Sequence, residues 1–343
     1  MNIIVACLVA AVISFGLAFG LGYVVIPFLH KLKFGQTILD IGPKWHKDKQ
    51  GTPTMGGVLF IIGTVISFIA VVVIDKLMGG NIVGVNDILS KSMNIKVWGG
   101  LIMALGFGFI GFLDDYIKVV KKRNLGLTIL QKTVLQIILM VGYLATLFVN
   151  DPTGSMFIPF FGMVQTRIFF WLIGIAVIYC TTNAVNFTDG VDGLCGSVTV
   201  TAALSFIAVA ALRNCLGISL LASALAGGLV GYLIWNWHPA KVMMGDFGSM
   251  FLGGMIIAMA YAVDCPFIIL RTGIIYVAEF ASDIIQISYF KLTHGKRIFK
   301  MAPIHHHFEL CGWKETKIVK IFTAVNLIGG ILAVILVYFG NLK

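Results

Sequence analysis

Long apolar runs separated by short polar connections extend along almost the whole chain. A helix that crosses a bilayer needs about 20 mostly apolar residues in succession. Ten runs of this kind are predicted to be membrane-spanning helices, at residues 3–29, 56–74, 97–113, 128–149, 167–185, 195–212, 217–235, 249–264, 267–290 and 318–340. The pattern therefore predicts an all-α polytopic membrane protein, organised as a single transmembrane domain over residues 1–343.

The composition excludes the soluble classes of protein. Hydrophobic residues make up 59% of the 343 residues and charged residues 12%, whereas soluble domains carry about 25% charged residues. The six cysteines are scattered through apolar runs and form no Cys-x-x-Cys pair. We interpret them as small apolar side chains rather than as a disulfide framework.

The distribution of basic residues predicts the orientation. The connections after the odd-numbered segments hold 18 of the 25 Lys and Arg residues, and the other side of the membrane holds seven. Because cytoplasmic connections of membrane proteins are enriched in Lys and Arg, these connections are predicted to be cytoplasmic and both termini to lie outside. The net charge of +10 is explained in this way, and no nucleic-acid partner is expected.

Two adjacent acids, Asp114 and Asp115, end the third segment, and Lys118 follows within helical reach of both. Adjacent carboxylates repel each other unless a cation or a shared proton compensates. Charged groups at membrane depth are costly, and this favours a functional site. The alternative is an interfacial ion pair that simply ends the helix.

Three further polar segments are predicted on the same side. NAVNFTDGVDGL (183–194) supplies Asn183, Asn186, Asp189 and Asp192, with a glycine-rich reverse turn as the alternative. MGDFGS (244–249) supplies Asp246, for which a helix N-cap is the alternative. PIHHHFE (303–309) supplies His305, His306 and His307. Adjacent histidines converge poorly on zinc, so anion binding or proton handling fits them better.

Together, the four segments are expected to surround one site that binds Mg²⁺ and a diphosphate. Carboxylate oxygens are hard ligands, and Mg²⁺ binds readily between them and substrate phosphates. The sequence contains no P-loop. A further prediction concerns the ninth segment, in which Glu279, Asp283 and Gln286 recur at about one helical turn. They are expected to line a groove towards the site, and a structural contact between helices is the alternative.

The motifs of this chain resemble those of the phospho-N-acetylmuramoyl-pentapeptide-transferase family. That family is a branch of the polyprenyl-phosphate N-acetylhexosamine-1-phosphate transferase superfamily. The matching segments are GTPTMGG (51–57), GFLDDYIK (111–118), NAVNFTDGVDGL, MGDFGS and residues 295–313. The two Asp-rich segments are shared across the superfamily, whereas GTPTMGG and the three histidines are more specific to this branch.

The resemblance implies a ten-helix protein of the bacterial inner (plasma) membrane with its active site facing the cytoplasm. It implies Mg²⁺ as cofactor, UDP-MurNAc-pentapeptide as donor, undecaprenyl phosphate as acceptor, and lipid I and UMP as products. A homodimer is also suggested. Two other functions stay open from the residues alone, a GlcNAc-1-phosphate transferase and, more distantly, a cation-coupled transporter.

We assign roles on the basis of the resemblance and the chemistry of the residues. Asp246 is the expected Mg²⁺ ligand; Asp114, with Asp115 second, is expected to orient the lipid phosphate; Lys118 balances phosphate charge. The residues expected to bind substrate are Asn186, Asp189 and Asp192 at the uridine end, His305, His306 and His307 at the phosphate or sugar-peptide, and in addition Asn183 and Lys132. Direct transfer is preferred, and a route through a phosphorylated aspartate stays open.

Overall fold

The computed structural model describes residues 1–32, 51–84, 88–120 and 125–340, with backbone alone for 88–92. Eight basic positions used for the orientation prediction lie outside the described residues: Lys33, Lys44, Lys47, Lys49, Lys121, Lys122, Arg123 and Lys343. The orientation prediction therefore depends on the sequence for these positions.

Within those ranges the chain forms α-helices and one small antiparallel sheet. The helices are α1 (Ile3–Lys31), α2 (Gly57–Leu77), α3 (Ile88–Val120), α4 (Ile129–Asn150), α5 (Phe169–Thr188), α6 (Leu194–Leu212), α7 (Leu216–Asn236), α8 (Gly245–Ala262), α9 (Ile269–Thr272), α10 (Ile274–Leu292), α11 (Ile304–Leu310) and α12 (Glu315–Gly340). Strands β1 (Ser155–Ile158) and β2 (Gly162–Gln165) form a hairpin in which Ser155 is paired with Gln165.

The prediction of an all-α polytopic membrane protein is confirmed. Nine helices of the described residues are long and apolar enough to cross a membrane. The ninth predicted segment, 267–290, is divided into a 3₁₀ turn (Pro266–Ile268), α9 and α10. Because α10 carries Glu279, Asp283 and Lys291, it is less apolar than the nine spans.

The third helix is longer than its apolar run. The apolar pattern predicts an end near residue 113, but α3 continues to Val120. Asp114 and Lys118 lie one turn apart inside the helix and form an ion pair, and such a pair stabilises the last turns. The acidic pair therefore lies on a regular helix and not in a connection.

Helices α7 and α8 form the centre of the bundle. In each of them 83% of an apolar stretch of 18 residues is buried inside the bundle. Each helix is apolar on all sides, as expected for a helix that is surrounded by other helices. Helix α8 packs against α3 and α5, and α7 packs against α1, α2 and α6. The outer helices expose apolar side chains instead; Ile4, Leu8 and Val12 of α1 are more than 60% exposed.

The helix ends gather on two opposite faces of the bundle. One of them, here called the site face, holds the ends of α3, α5, α7 and α10, the starts of α4, α6, α8 and α12, and the short helix α11. The β-hairpin, the start of α5 and the end of α8 lie on the opposite face, where Phe157 N donates to Asp264 O.

Candidate active site

Three carboxylates from two helices meet on the site face. Asp114 and Asp115 project from the last turns of α3, and Asp246 projects from the first turn of α8. One oxygen of each lies within 4.8 Å of the others. The backbones of α3 and α8 touch at Gly111, where a Cβ atom would lie 2.1 Å from the Asp246 carbonyl oxygen. A side chain at position 111 is therefore incompatible with this approach.

Two lysines balance the charge of these carboxylates. The Lys118 Nζ lies 2.6 Å from Asp114 Oδ2, 3.6 Å from Asp115 Oδ1 and 3.2 Å from Asp246 Oδ2. Lys132, at the start of α4, places its Nζ 2.9 Å from Asp246 Oδ2. The predicted residues Asp114, Asp115, Lys118, Lys132 and Asp246 thus form one cluster, here called the carboxylate cluster.

Asp246 does not cap its helix. Helix α8 begins at Gly245, the N-cap position is Met244, and no side chain accepts a capping hydrogen bond there. Both oxygens of Asp246 are used elsewhere, because Oδ2 faces the two lysines and Oδ1 accepts from Asn186 Nδ2 at 3.0 Å. The same amide lies 2.8 Å from Ser249 Oγ. The capping interpretation was wrong, and Asn186 contacts the carboxylate cluster through Asp246.

The GTPTMGG segment packs against the chain that leads into α8. Met243 N donates to Pro53 O and Gly56 N donates to Met243 O, both at 2.8 Å. Gly245 has a φ of 72°, and a Cβ atom there would lie 2.6 Å from Thr54 Oγ1 and 2.5 Å from Asp115 Oδ2. The Thr54 hydroxyl therefore borders the carboxylate cluster. The GTPTMGG motif was the sequence feature that could have indicated this position of Thr54, although no role was assigned to Thr54 from the sequence.

The carboxylate cluster fits Mg²⁺. Mg²⁺–oxygen distances of about 2.1 Å place opposite ligands about 4.2 Å apart, so small rotations bring two of these oxygens onto one ion. With three ionised carboxylates and two ammonium groups the formal charge is −1, and a divalent cation would make it +1. Such a charge is complementary to a phosphate-bearing substrate, and Asp246 is the carboxylate that contacts both lysines.

Asp192 belongs to a second cluster, between α5, α7 and α12. Asp192 Oδ2 accepts from Ala240 N at 3.0 Å and lies 3.1 Å from His238 Nδ1. Glu315 Oε2 lies 3.5 Å from the same His238 nitrogen. Asp192 thus holds the connection that leads into α8. His238 was not singled out from the sequence, and only its contacts with two acids reveal it.

Asn183 and Asp189 lie on either side of Asn186. The Asn183 amide donates to Tyr179 O at 2.8 Å and lies 3.5 Å from Gln136 Oε1, one turn before the carboxylate cluster. Asp189 is the C-cap of α5, with its backbone N–H bonded to Asn186 O. The predicted uridine-binding residues therefore extend from the cluster, at Asn186, to the second cluster, at Asp192.

The three histidines have three different environments on α11. His305 is completely buried, and its Nδ1 lies 3.0 Å from Oε2 of the buried Glu279 on α10. His306 Nδ1 lies 2.6 Å from Glu309 Oε2. His307 Nδ1 accepts from Lys300 N at 3.1 Å. Of the three, His306 and His307 are partly exposed.

Helix α10 turns Glu279 towards α11 and Gln286 towards the segment that joins α10 to α11. His305 Nε2 lies against Gly190, where a Cβ atom would be 2.1 Å away. Gln286 Oε1 accepts from the backbone N–H groups of Ile298 and Phe299. Glu279 and Gln286 thus contact protein, as expected for polar groups at membrane depth. The groove that α10 was expected to line stays a prediction.

The chain is similar in sequence to known transferases over most of its length. A family model described as glycosyl transferase family 4 matches residues 97–264, which contain the whole carboxylate cluster. A model described as phospho-N-acetylmuramoyl-pentapeptide-transferase signature 1 matches residues 49–61, which contain the GTPTMGG segment.

Three curated proteins named phospho-N-acetylmuramoyl-pentapeptide-transferase illustrate the similarity. Those of Listeria monocytogenes serovar 1/2a and Acetivibrio thermocellus are 43% identical over 321 residues, which is 92% of this chain and 93% and 91% of theirs. That of Heliobacterium modesticaldum is 43% identical over 313 residues, which is 91% of each chain. With this identity sustained along nearly its full length, the chain belongs to the phospho-N-acetylmuramoyl-pentapeptide-transferase family.

Proposed function

We propose that this protein transfers phospho-MurNAc-pentapeptide from UDP-MurNAc-pentapeptide to undecaprenyl phosphate in a Mg²⁺-dependent reaction. The products are lipid I and UMP, and the reaction is the first membrane step of peptidoglycan synthesis. The observation that carries this proposal is the carboxylate cluster, in which Asp246 meets Asp114, Asp115 and two lysines in a member of this transferase family.

The chemistry requires charge neutralisation more than covalent participation by the protein. An oxygen of the acceptor phosphate attacks the donor phosphorus that carries the sugar. The bond from that phosphorus to the bridging oxygen breaks, and UMP leaves with the electron pair. Phosphoryl transfer of this kind is accelerated mainly by positioning and by electrostatic stabilisation. Asp246 would hold Mg²⁺, and the bound ion would supply a counter-charge for the diphosphate.

Lys118 and Lys132 are the residues proposed to compensate the remaining phosphate charge. Both ammonium groups already face Asp246, so a phosphate that binds beside this carboxylate comes within reach of them. Lys118 also holds the two α3 carboxylates in place. An ammonium group suits this task because it is a compact charge with three donors.

Asp114 and Asp115 are the two candidates for orienting the lipid phosphate. Asp114 Oδ1 accepts from Leu127 N at 2.8 Å, and its Oδ2 pairs with Lys118. Asp115 Oδ2 accepts from Phe247 N at 3.1 Å, and its Oδ1 lies 3.6 Å from Lys118. Of the four carboxylate oxygens of Asp114 and Asp115, Asp115 Oδ1 is therefore the least tightly held. Kinetics of Asp114→Asn and Asp115→Asn at varied acceptor concentration test which residue orients the phosphate. The variant that lacks the orienting carboxylate is expected to have the higher KM for the acceptor.

The donor is proposed to extend from the carboxylate cluster along the turn after α5. Asn186, Asp189 and Asp192 are the groups proposed for the uridine end, with Asn183 behind them. His306 and His307, which are partly exposed on α11, are proposed to contact the phosphate or sugar-peptide portion. His305 is buried against Gly190, so it supports that turn from below.

The site face is proposed to be cytoplasmic, in a bacterial plasma membrane. The site face carries Lys31, Lys118, Lys132, Lys241 and the basic residues of 291–320. An excess of Lys and Arg marks the cytoplasmic side of membrane proteins. Cysteine variants at exposed loop positions, labelled with an impermeant maleimide in intact cells, test this orientation.

Release of UMP from the purified full-length protein tests the function. We expect release to require both UDP-MurNAc-pentapeptide and undecaprenyl phosphate, and to stop when EDTA removes Mg²⁺. Substituting UDP-GlcNAc for the donor is the matched control. Turnover with UDP-GlcNAc at a comparable kcat/KM would assign the protein to the GlcNAc-1-phosphate branch instead. Trapping of a phosphorylated aspartate during turnover would replace direct transfer by a two-step route.

A further inference from the structure

The segment from residue 291 to residue 320 exposes positive charge on the site face. Its basic residues are all exposed: Lys291, Lys296, Arg297, Lys300, Lys314, Lys317 and Lys320. Its two acids turn inwards, because Glu309 is buried beside His306 and Glu315 faces His238. The outer surface of this segment is therefore suited to an anionic partner.

Three of these lysines line one cavity at the start of α12. The cavity has a volume of about 510 Å³ and is lined by Trp313, Lys314, Thr316, Lys317, Lys320 and Ile321. The Lys317 Nζ lies 4.2 Å from the centroid of the Trp313 ring, a cation–π contact. Trp313 itself stacks on Phe308 at 4.5 Å, so the aromatic wall of the cavity is fixed from behind.

An exposed apolar stripe continues from this cavity along α12. Ile321, Val325, Ile328 and Leu332 recur every three to four residues and therefore lie on one helix face, below Lys314 and Lys317. Their side chains are between 36% and 58% exposed. Positive charge and an aromatic ring thus lie at one end of a lipid-facing stripe.

We propose that this cavity binds the phosphate of an anionic phospholipid, with an acyl chain of that lipid lying along the stripe from Ile321 to Leu332. The three lysines supply the counter-charge, and Trp313 is the type of residue that favours the headgroup level of a membrane. The apolar stripe selects a lipid over a soluble phosphate. A second copy of this chain seated on the same surface would bring like charges together. The site lies outside the carboxylate cluster, so it does not depend on the proposed function.

Lipid binding to the purified full-length protein in detergent tests the proposal. Retention of phosphatidylglycerol is measured by native mass spectrometry and by the rise in unfolding temperature, with phosphatidylcholine as the neutral lipid. The test variant is Lys314→Gln with Lys317→Gln and Lys320→Gln. The matched control is Lys291→Gln with Lys296→Gln and Arg297→Gln, which removes the same charge from the same segment outside the cavity.

We expect the cavity variant to lower the affinity for phosphatidylglycerol at least tenfold and the control variant to lower it less than threefold. Equal losses in the two variants would mean general attraction to a charged surface and would overturn the proposal. Full competition by 10 mM inorganic phosphate would also overturn it, in favour of a soluble anion. If the triple variant does not fold, the single variant Lys317→Gln is used, with about a threefold loss expected; an unchanged affinity there would contradict the proposal.

Discussion

Lys118 and Asp246 are 128 residues apart in sequence, and their Nζ and Oδ2 atoms lie 3.2 Å apart. The contact joins the end of α3 to the start of α8, and the same lysine also holds both α3 carboxylates. A single ammonium group thus ties together the acids that are proposed to handle Mg²⁺ and the lipid phosphate. The charge balance of this cluster leads to the first two predictions.

Asp246→Asn is expected to abolish most of the transferase activity and to leave the protein folded. Asparagine preserves the size of the side chain and can still accept from Asn186, but it lacks the charge that a hard cation requires. Loss of several kcal/mol of charge stabilisation lowers kcat by about 100-fold or more. Asp151→Asn, the same change on the opposite face, serves as control. Mg²⁺-dependent UMP release near the normal rate in Asp246→Asn would show that Asp246 is not the metal ligand.

Lys118→Gln is expected to strengthen Mg²⁺ binding while it slows turnover. Removing one positive charge about 5 Å from a divalent cation favours binding of that cation by about tenfold even at the dielectric constant of water, near 80, and by more at lower values. The measurement is the Mg²⁺ concentration at which the unfolding temperature has risen by half of its maximal shift. Lys241→Gln is the control, because the Lys241 Nζ faces the Trp235 ring at 5.3 Å. Weaker Mg²⁺ binding in Lys118→Gln would contradict the charge balance described above.

Glu279 and His305 are expected to behave as one unit. His305→Ala leaves the buried Glu279 carboxylate without its imidazole partner, which costs about 1–3 kcal/mol of stability. Glu279→Gln alone is milder, because the amide oxygen still accepts from Nδ1. We therefore expect the double variant, Glu279→Gln with His305→Ala, to unfold at a higher temperature than His305→Ala alone. Additive losses of unfolding temperature in the double variant would show that the two side chains act independently.

Gly190→Ala is expected to impair the site through His305. An added methyl group would lie 2.1 Å from His305 Nε2, so either the turn after α5 or helix α11 must move. We expect a raised KM for the donor and about a tenfold lower kcat/KM, since small displacements of positioning groups are costly. Gly142→Ala is the matched control, because a Cβ atom at Gly142 has nothing within 4 Å. If the two variants have the same KM for the donor and the same kcat/KM, the contact between Gly190 and His305 does not contribute to donor binding.

The ninth predicted segment shows where sequence reasoning reached its limit. The apolar pattern predicts one helix over 267–290, and the structure has a 3₁₀ turn, α9 and the polar helix α10. Of the three polar residues that recur in this segment, Glu279 and Gln286 are buried against protein, and the groove expected from them stays a prediction. The partner of Glu279, however, lies 26 residues further on, in α11, and no local pattern indicates it.

The sequence by itself determined the membrane-spanning class, the segments that carry the polar chemistry, and the span positions to within a few residues except in the third and ninth segments. These features follow from local periodicity and from the cost of charge in a bilayer, which act residue by residue. The pairing of Asp114 with Lys118 was also predictable, because one helical turn separates them. The tertiary structure alone decided that Asp246 and Lys132 join this pair, that Asp192 meets His238, and that His305 is buried while His306 is not. Those relationships depend on close packing between distant helices, as at Gly111 against α8, where a single Cβ atom would prevent the contact.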